Sequence, residues 1–332
     1  MNCTQDVIVA VLVTVVVVIL LCLLSGWAFW NRTKNNFFRM IEQANAVACQ
    51  EAVTPSYTHT VTTPRVNGQY QQDLALALWQ IDEAVSDSNC TKLLPIPTPP
   101  PFTHQLRLEV NDPSDCQLRM FAYIFWNQNG QACFSFTGTF FAGQWLDDFH
   151  FRQVPATKLN GYECGVDVHT GFYQIYIRVR CELWKWWQTY DSSIRELYIS
   201  GHSLGGALST LCAFDFADVD AKLIHYSFAA PRSGNVKYSE VFDQRVPQSL
   251  RIYNTEDIVV AVPLATFEGV TYQHTSVESG SVPFTKSLGS IKDNHIKAYN
   301  NYMPKCFDNK ARCIPSYIPG GGCGGGCESW KG

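Results

Sequence analysis

The sequence predicts an α/β fold with a mostly parallel central sheet flanked by helices. Two observations carry this prediction. Strand-like and helical segments alternate over the second half of the chain, a pattern typical of parallel sheets covered by helices. In addition, 46% of the 332 residues are hydrophobic and only 16% are charged. This composition predicts one sizeable globular domain with a large buried core.

The first elements predicted along the chain are helices. Residues Phe37–Ala52 and Leu74–Val85 have the apolar spacing of amphipathic helices that pack on a sheet. Residues Leu94–Phe102 contain five prolines and are predicted to form an extended connector. Residues Leu118–Trp126 and Ala132–Phe136 flank a turn sequence and are expected to form a strand pair.

The alternating pattern itself follows further along the chain. A helix is predicted over Gly171–Tyr190, a strand over Glu196–Ser200, and a second helix over Leu204–Phe216. Two further strands are expected at Leu223–Phe228 and Leu250–Tyr253. The folded domain is predicted to span residues 35–310, and the glycine- and cysteine-rich tail, residues 311–332, to be flexible.

The amino-terminal segment is predicted to be a transmembrane anchor, with residues 1–6 as a short tail before it. Residues Val7–Trp30 carry no charge, and as a helix they would be about 36 Å long, against about 30 Å for the hydrocarbon core of a bilayer. A cleaved signal peptide is the alternative, but no Lys or Arg precedes the segment. The expectation is a single-pass membrane protein, with the amino-terminal helix in contact with the membrane.

Charge and cysteine content give conflicting indications of membrane orientation. Arg32, Lys34 and Arg39 follow the span, and positive flanks tend to stay cytoplasmic. Thirteen cysteines in the chain and the glycosylation sequences at Asn31 and Asn89 favour a lumenal or extracellular domain, which is the orientation we expect. The 25 basic residues nearly balance the 29 acidic ones without forming a long run, so nucleic-acid binding is not expected.

The motif that carries chemistry is Gly201-His202-Ser203-Leu204-Gly205. It follows an apolar strand and opens a helix of small residues, which is the context of a nucleophilic serine on a sharp turn. The flanking glycines fit because bulk at these positions would clash across the turn. Ser203 is therefore the predicted nucleophile, and the backbone N–H of Leu204 is a predicted donor to an oxyanion.

A serine nucleophile needs a base and an acid, which follow it in the order acid, then histidine, in this sheet architecture. His295 stands at a loop-to-helix position and is preferred over His274, which lies in an alternating, strand-like stretch. Asp257 follows the strand at Leu250–Tyr253 through a short turn and is preferred as the acid over its neighbour Glu256. The predicted triad is Ser203, Asp257 and His295.

The second oxyanion donor is expected on the loop after the strand Ala132–Phe136. Thr139 is predicted to supply it through its backbone N–H, because glycine beside it lets the backbone approach a reacting carbonyl. Phe140, Phe141 and Trp145 come next and are predicted to form a lid or an acyl-chain groove. The alternative is that some of these rings belong to the core.

The chain from about Phe37 to Cys306 resembles the class 3 lipase family of the α/β-hydrolase fold. The resemblance rests on six sequence blocks in the family order: FSFTGTFFAGQWLDDF, VHTGFYQIY, ISGHSLGGALSTLCAFDF, FAAPRSGN, YNTEDIVVAVPL and KDNHIKAY. It implies an α/β-hydrolase fold and carries the triad onto Ser203, Asp257 and His295, with oxyanion donors at Thr139 and Leu204. This agrees with the assignment from the residues alone.

The resemblance also implies features outside the triad. Cys49 and Cys306 look like a family disulfide that ties the first helix to the carboxyl end. The family usually has an arginine where Thr137 stands, so the support of this loop differs here. Cys212, on the helix after the serine, is expected to be a buried thiol.

The function that follows is hydrolysis of carboxylic esters of acylglycerols or phospholipids at a membrane or emulsion interface, by a membrane-anchored enzyme. No metal or organic cofactor is expected, because the triad and the oxyanion donors supply the chemistry. Two alternatives remain: an acyltransferase or non-lipid esterase with the same triad, and a non-catalytic protein that uses the fold to bind lipid or a partner.

Overall fold

The computed structural model describes residues 55–64, 69–88, 95–111, 118–138, 152–267, 269–276 and 280–303. The helices of these residues are α1 (Gln72–Asp87), α2 (Thr170–Tyr190), α3 (Leu204–Asp215), α4 (Val236–Arg245), α5 (Ile291–His295) and α6 (Lys297–Tyr302). The strands are β1 (His104–Asn111), β2 (Leu118–Trp126), β3 (Gln131–Phe136), β4 (Gln153–Pro155), β5 (Asp167–His169), β6 (Glu196–His202), β7 (Lys222–Phe228), β8 (Ser249–Asn254), β9 (Thr266–Phe267), β10 (Val270–Thr271) and β11 (Ser281–Phe284).

A seven-stranded sheet in the order β1-β2-β3-β6-β7-β8-β11 forms the centre of the described structure. Strands β3, β6, β7, β8 and β11 pair in parallel, whereas β2 is antiparallel to both of its neighbours. Because parallel strands end at the same edge, the loops after β3, β6 and β8 come close together there. The predicted mostly parallel α/β sheet is confirmed.

Helices cover both faces of this sheet. On one face, α2, α3 and α4 bury residues such as Ile175, Leu208 and Phe242 against the strands. On the other, α1 and α6 bury Leu78 and Tyr299 in a second core. Strands buried on both faces explain the near-continuous apolar runs in the sequence.

The predicted helices and strands of the described residues agree with the structure to within a few residues. Several elements were not anticipated, among them β1, α4 and β11. The stretch around His274 was interpreted as strand-like, but only Val270–Thr271 forms a strand there, followed by an isolated bridge at Gln273. Tyr272, Thr275 and Ser276 are buried in this stretch, which is otherwise a loop.

The predicted single-pass membrane location needs correction. No helix in the described part of the chain is long and apolar enough to cross a bilayer. The longest one, α2, has 21 residues, but only one side of it packs on the sheet, and Arg178, Glu182 and Lys185 lie on its exposed side. The predicted anchor Val7–Trp30, the helix Phe37–Ala52 and the Cys49–Cys306 pair lie outside the described residues.

Candidate active site

Ser203 stands on a strained turn between β6 and α3. Its backbone has φ 59° and ψ −123°, which is unfavourable for a residue with a side chain. A Cβ on Gly201 would lie 2.2 Å from the carbonyl oxygen of Gly205, and one on Gly205 would lie 2.2 Å from that of Phe136. The turn therefore requires glycine at both positions, as the motif predicted.

The amino end of α3 follows the serine directly. The backbone N–H of Ser203 donates to the carbonyl of Phe228 on the neighbouring strand at 2.9 Å, which fixes the turn to the sheet. Leu204 is the first residue of α3, and the N–H groups of a first helical turn have no acceptor within the helix. The positive end of the helix dipole thus lies beside the serine.

His295 and Asp257 are joined by a hydrogen bond at the same edge of the sheet. The Nδ1 atom of His295 lies 2.7 Å from Oδ2 of Asp257. Asp257 is only 2% exposed, and its other oxygen, Oδ1, accepts the backbone N–H of Val259 at 3.0 Å. A buried carboxylate with these donors holds the imidazole in one orientation and one tautomer.

Tyr299 is a third partner of this carboxylate that the sequence analysis missed. Its hydroxyl donates to Oδ2 of Asp257 at 3.0 Å and accepts the backbone N–H of Asn254 at 2.9 Å. Burial, together with the nearby Asp257, raises the pKa of Tyr299 well above its usual value, so the phenol stays a proton donor. The sequence feature that could have indicated Tyr299 is its position four residues after His295.

His202, the residue before the serine, packs against His295. Its Nε2 atom lies 3.0 Å from the backbone oxygen of His295, and the two ring centres are 4.4 Å apart. The edge of the Trp79 ring closes its other side. Burial, followed by the proximity of His295, lowers the pKa of His202 well below its usual value, so this ring is neutral and donates from Nε2.

His274 and Glu256, the alternative base and acid of the triad, have other environments. The Nε2 atom of His274 bonds the carbonyl of Val260 at 2.8 Å, and its pKa is lowered mainly by burial and then by the charges of Arg251 and Arg232. Glu256 is exposed on the loop beside Asp257. The structure thus pairs His295 with Asp257. His274 and Glu256 do not take part in this pair.

The loop after β3 is described only as far as Gly138. The N–H of Gly138 donates to Oγ of Ser86 on α1 at 2.9 Å. Thr137 is buried, and its hydroxyl donates to the carbonyl of Gly138 at 2.9 Å. The predicted oxyanion donor Thr139 and the predicted lid residues Phe140, Phe141 and Trp145 lie outside the described residues.

Cys212 lies on α3, the helix that follows Ser203. Cys212 is a buried free thiol, as predicted, and burial raises its pKa well above the usual value. Among the described residues, no group of three or more His, Cys, Asp or Glu side chains is arranged to hold a metal ion.

Residues 133–267 match the family model described as lipase (class 3). This segment, less than half of the chain, is similar to the class 3 lipase family. It contains Ser203 and Asp257, whereas His295 and α1 lie outside the matched residues. The class 3 lipase segment therefore begins at β3 and ends in β9.

Curated relatives of the class 3 lipase segment have phospholipase and lipase names. The chain is 28% identical over 166 residues to the chloroplastic phospholipase A(1) DAD1 of Arabidopsis thaliana, covering 45% of this chain and 37% of that one. It is 27% identical over 158 residues to secreted mono- and diacylglycerol lipase 1 of Fusarium solani, covering 46% of this chain and 44% of the relative. The chain thus spans less than half the length of either relative.

Solved lipase structures are also similar to part of the chain. The triacylglyceride lipase of Rhizomucor miehei is 26% identical, with a TM-score of 0.42, and the match covers 50% of this chain and 62% of that one. The names of the two curated relatives place those proteins in the chloroplast and outside the cell, which again does not support the predicted membrane location.

Proposed function

We propose that this chain is a serine carboxylic-ester hydrolase that acts on acylglycerols or phospholipids. The observation that carries the proposal is the hydrogen bond between His295 and the buried Asp257, at the sheet edge where Ser203 stands on a strained, glycine-flanked turn. Such strain is found where a side chain must be presented to a substrate. The match of residues 133–267 to the class 3 lipase family model supports the same reaction.

In the proposed mechanism, His295 takes the hydroxyl proton of Ser203 while Oγ attacks the ester carbonyl. The negative charge that develops on the carbonyl oxygen is stabilised by the backbone N–H groups of Thr139 and Leu204. The alcohol leaves with the proton from His295, and an acyl enzyme remains. Water then attacks the acyl carbon, again with His295 as the base, and the fatty acid is released.

Asp257 orients His295 in both steps through the hydrogen bond to Nδ1. It fixes the tautomer of His295 that leaves Nε2 free to act as base, and it stabilises the imidazolium that forms. The buried His202, whose ring packs against that of His295, remains neutral. It therefore adds no positive charge that would oppose protonation of His295.

The substrate class is proposed from the relatives. Their names describe a phospholipase A(1) and a mono- and diacylglycerol lipase, and both classes of substrate carry a fatty-acyl ester. The shared chemistry is cleavage of that ester, and the choice between a phospholipid and a neutral glyceride depends on the groove around Ser203.

The test is release of fatty acid from emulsified mono-, di- and triacylglycerols and from phospholipid vesicles by the full chain. Ser203→Ala should abolish release, whereas Ser192→Ala, which changes an exposed serine after α2, should leave it unchanged. Equal release by wild type and Ser203→Ala would refute the proposal. Transfer of acyl groups to an added alcohol at the expense of hydrolysis would identify an acyltransferase instead.

A further inference from the structure

Helix α1 places two polar side chains beneath the proposed site, and no step of the mechanism uses them. Asp82 is completely buried on this helix, and Ser86 lies one turn further on and is 7% exposed. Burial of a carboxyl group is costly unless its hydrogen bonds are made, so a buried aspartate outside the triad requires an explanation.

Asp82 connects the two strands that lead into the site. Its Oδ1 atom accepts the hydroxyl of Ser135 on β3 at 2.6 Å and that of Ser200 on β6 at 2.8 Å. These two serines are direct partners in the parallel ladder. Ser200 precedes the nucleophile Ser203 by three residues, and Ser135 precedes Thr139 by four. Oδ1 of Asp82 thus bonds both strands shortly before their ends. β6 leads to the nucleophile, and β3 leads to the loop with the proposed donor Thr139, which we call the oxyanion loop.

Ser86 acts on the oxyanion loop itself. Its Oγ accepts the N–H of Gly138, the residue before Thr139, at 2.9 Å. A Cβ on Gly138 would lie 3.3 Å from this Oγ and 3.2 Å from the carbonyl oxygen of His202. The loop is therefore held closely between α1 and the serine turn.

A neutral Asp82 carboxyl is consistent with the role of Oδ1, which only accepts hydrogen bonds. Burial raises its pKa well above the usual value, although the two serine hydroxyls act in the opposite direction. Its Oδ2 atom has no hydrogen-bond partner among the described residues. A neutral carboxyl leaves less uncompensated charge in the core than a carboxylate would.

We propose that Asp82 and Ser86 are positioning residues of the site, which set the distance between Ser203 and the oxyanion loop by tying β3, β6 and Gly138 to α1. The proposal rests on the proposed ester hydrolysis. It follows from geometry, since oxyanion donors act only when they lie within hydrogen-bond distance of the developing charge. Neither residue touches the substrate.

The test compares kcat and KM for a soluble p-nitrophenyl ester, each variant being assayed below its own unfolding temperature. Asp82→Leu should lower kcat by about tenfold or more with KM nearly unchanged, because small displacements of reacting groups are costly. Asp82→Asn keeps the accepting oxygen and should retain kcat within about twofold. Ser86→Ala should lower kcat by about fivefold, since it releases Gly138.

Asp215→Asn is the matched control. Asp215 is also buried, at the far end of α3, where it accepts hydrogen bonds from Tyr176, Arg180 and Trp184. This variant should lower the unfolding temperature and leave kcat unchanged. A boronic-acid inhibitor forms a tetrahedral adduct with a serine. Its affinity for Asp82→Leu and Ser86→Ala should fall by the same factor as kcat falls in each variant.

Three results would overturn the proposal, and they are distinguishable. If Asp82→Leu or Ser86→Ala loses stability but keeps kcat, as Asp215→Asn is expected to do, the role is structural only. If Asp82→Asn loses as much kcat as Asp82→Leu, the shared oxygen is not the relevant feature. If wild type and Ser203→Ala have the same activity, the proposed function itself fails, and with it the positioning role. Should Asp82→Leu not fold, Ser86→Ala still tests the first result, and a loss of kcat of about tenfold in Asp82→Asn takes the place of the second.

Discussion

The hydroxyl of Tyr299 donates a hydrogen bond to Oδ2 of Asp257, the same oxygen that lies 2.7 Å from Nδ1 of His295. His295 and Tyr299 are four residues apart, so one short stretch of chain supplies both groups that reach this oxygen. Together with the N–H of Val259, they give the buried carboxylate three donors. Charge-assisted hydrogen bonds of this kind are among the strongest in proteins, and they explain why Asp257 can be buried.

Tyr299→Phe should lower both activity and stability. Asp257 loses one of its three donors and orients the imidazole less firmly, and the buried N–H of Asn254 loses its acceptor. We expect kcat to fall by about three- to tenfold and the free energy of unfolding by about 1–3 kcal/mol. Ester-hydrolysis kinetics and thermal unfolding measure the two effects.

The control for this variant is Tyr302→Phe. Tyr302 lies on the same helix, but it is 44% exposed and its ring faces the ammonium of Lys286. Neither activity nor stability should change by more than a small amount. A Tyr299→Phe enzyme indistinguishable from Tyr302→Phe would show that the hydroxyl of Tyr299 does not contribute to the site.

Gly205→Ala should strongly destabilise the fold. The added methyl would lie 2.2 Å from the backbone oxygen of Phe136, and backbone atoms cannot move aside as a flexible side chain can. We expect a loss of about 3 kcal/mol or more in the free energy of unfolding. Gly289→Ala is the control, since φ is +80° there but no atom lies within 4 Å of the new methyl, and about 1 kcal/mol is expected. Similar losses in both variants, measured by denaturant unfolding, would contradict the steric argument.

Glu83 should make the protein less stable as the pH rises. Burial raises its pKa from 4.5 to about 7, so the folded state binds a proton that the unfolded state has already released. The stability is complete below about pH 4.5 and is lost as the pH rises towards 7, by up to about 3 kcal/mol.

Glu83→Gln tests this linkage. Glutamine cannot titrate, so the difference in unfolding free energy between the variant and the wild type should increase in favour of the variant from pH 5 to pH 8. Burial also raises the pKa values of Asp82 and Asp87, which contribute in the same direction in both proteins. The charge repulsion that couples each of them to Glu83 is lost in the variant, which adds to the difference in the same direction. A difference that stays constant across this range would show that Glu83 is ionised in the folded protein.

His202→Gln should slow the reaction without moving its pH dependence. Glutamine can still donate to the backbone oxygen of His295, but the ring contact at 4.4 Å is lost, and we expect kcat to fall by about three- to tenfold. Because burial lowers the pKa of His202 well below its usual value, it does not titrate near neutral pH. The acidic limb of kcat/KM against pH should therefore coincide in wild type and variant. A displaced limb would mean that His202 carries a proton during the reaction.

The parts of the fold that could be predicted from the sequence are those with strong local patterns. The helix at Thr170–Tyr190 and the strand, turn and helix around Ser203 combine apolar periodicity with glycines at required positions, and both were predicted nearly to the residue. Strands β1 and β11, the two edges of the sheet, were missed. The residues of β1 do alternate, and its partner β2 is the next strand in the chain, whereas β11 has only four residues, one of them a proline. Edge strands of this kind depend on pairing rather than on local preference.

The sequence by itself determined the chemistry of the proposed site and the order of its groups. Ser203 was marked by its motif, and Asp257 and His295 by the order in which strands and loops follow it. The tertiary structure decided which side chains support them. Asp82 and Ser86 lie in none of the sequence motifs, and the motifs that contain His202 and Tyr299 assign them no role. The roles of all four depend on hydrogen bonds between residues up to 118 positions apart. Such contacts exist only once α1 and α6 pack on the sheet, so no local pattern could reveal them.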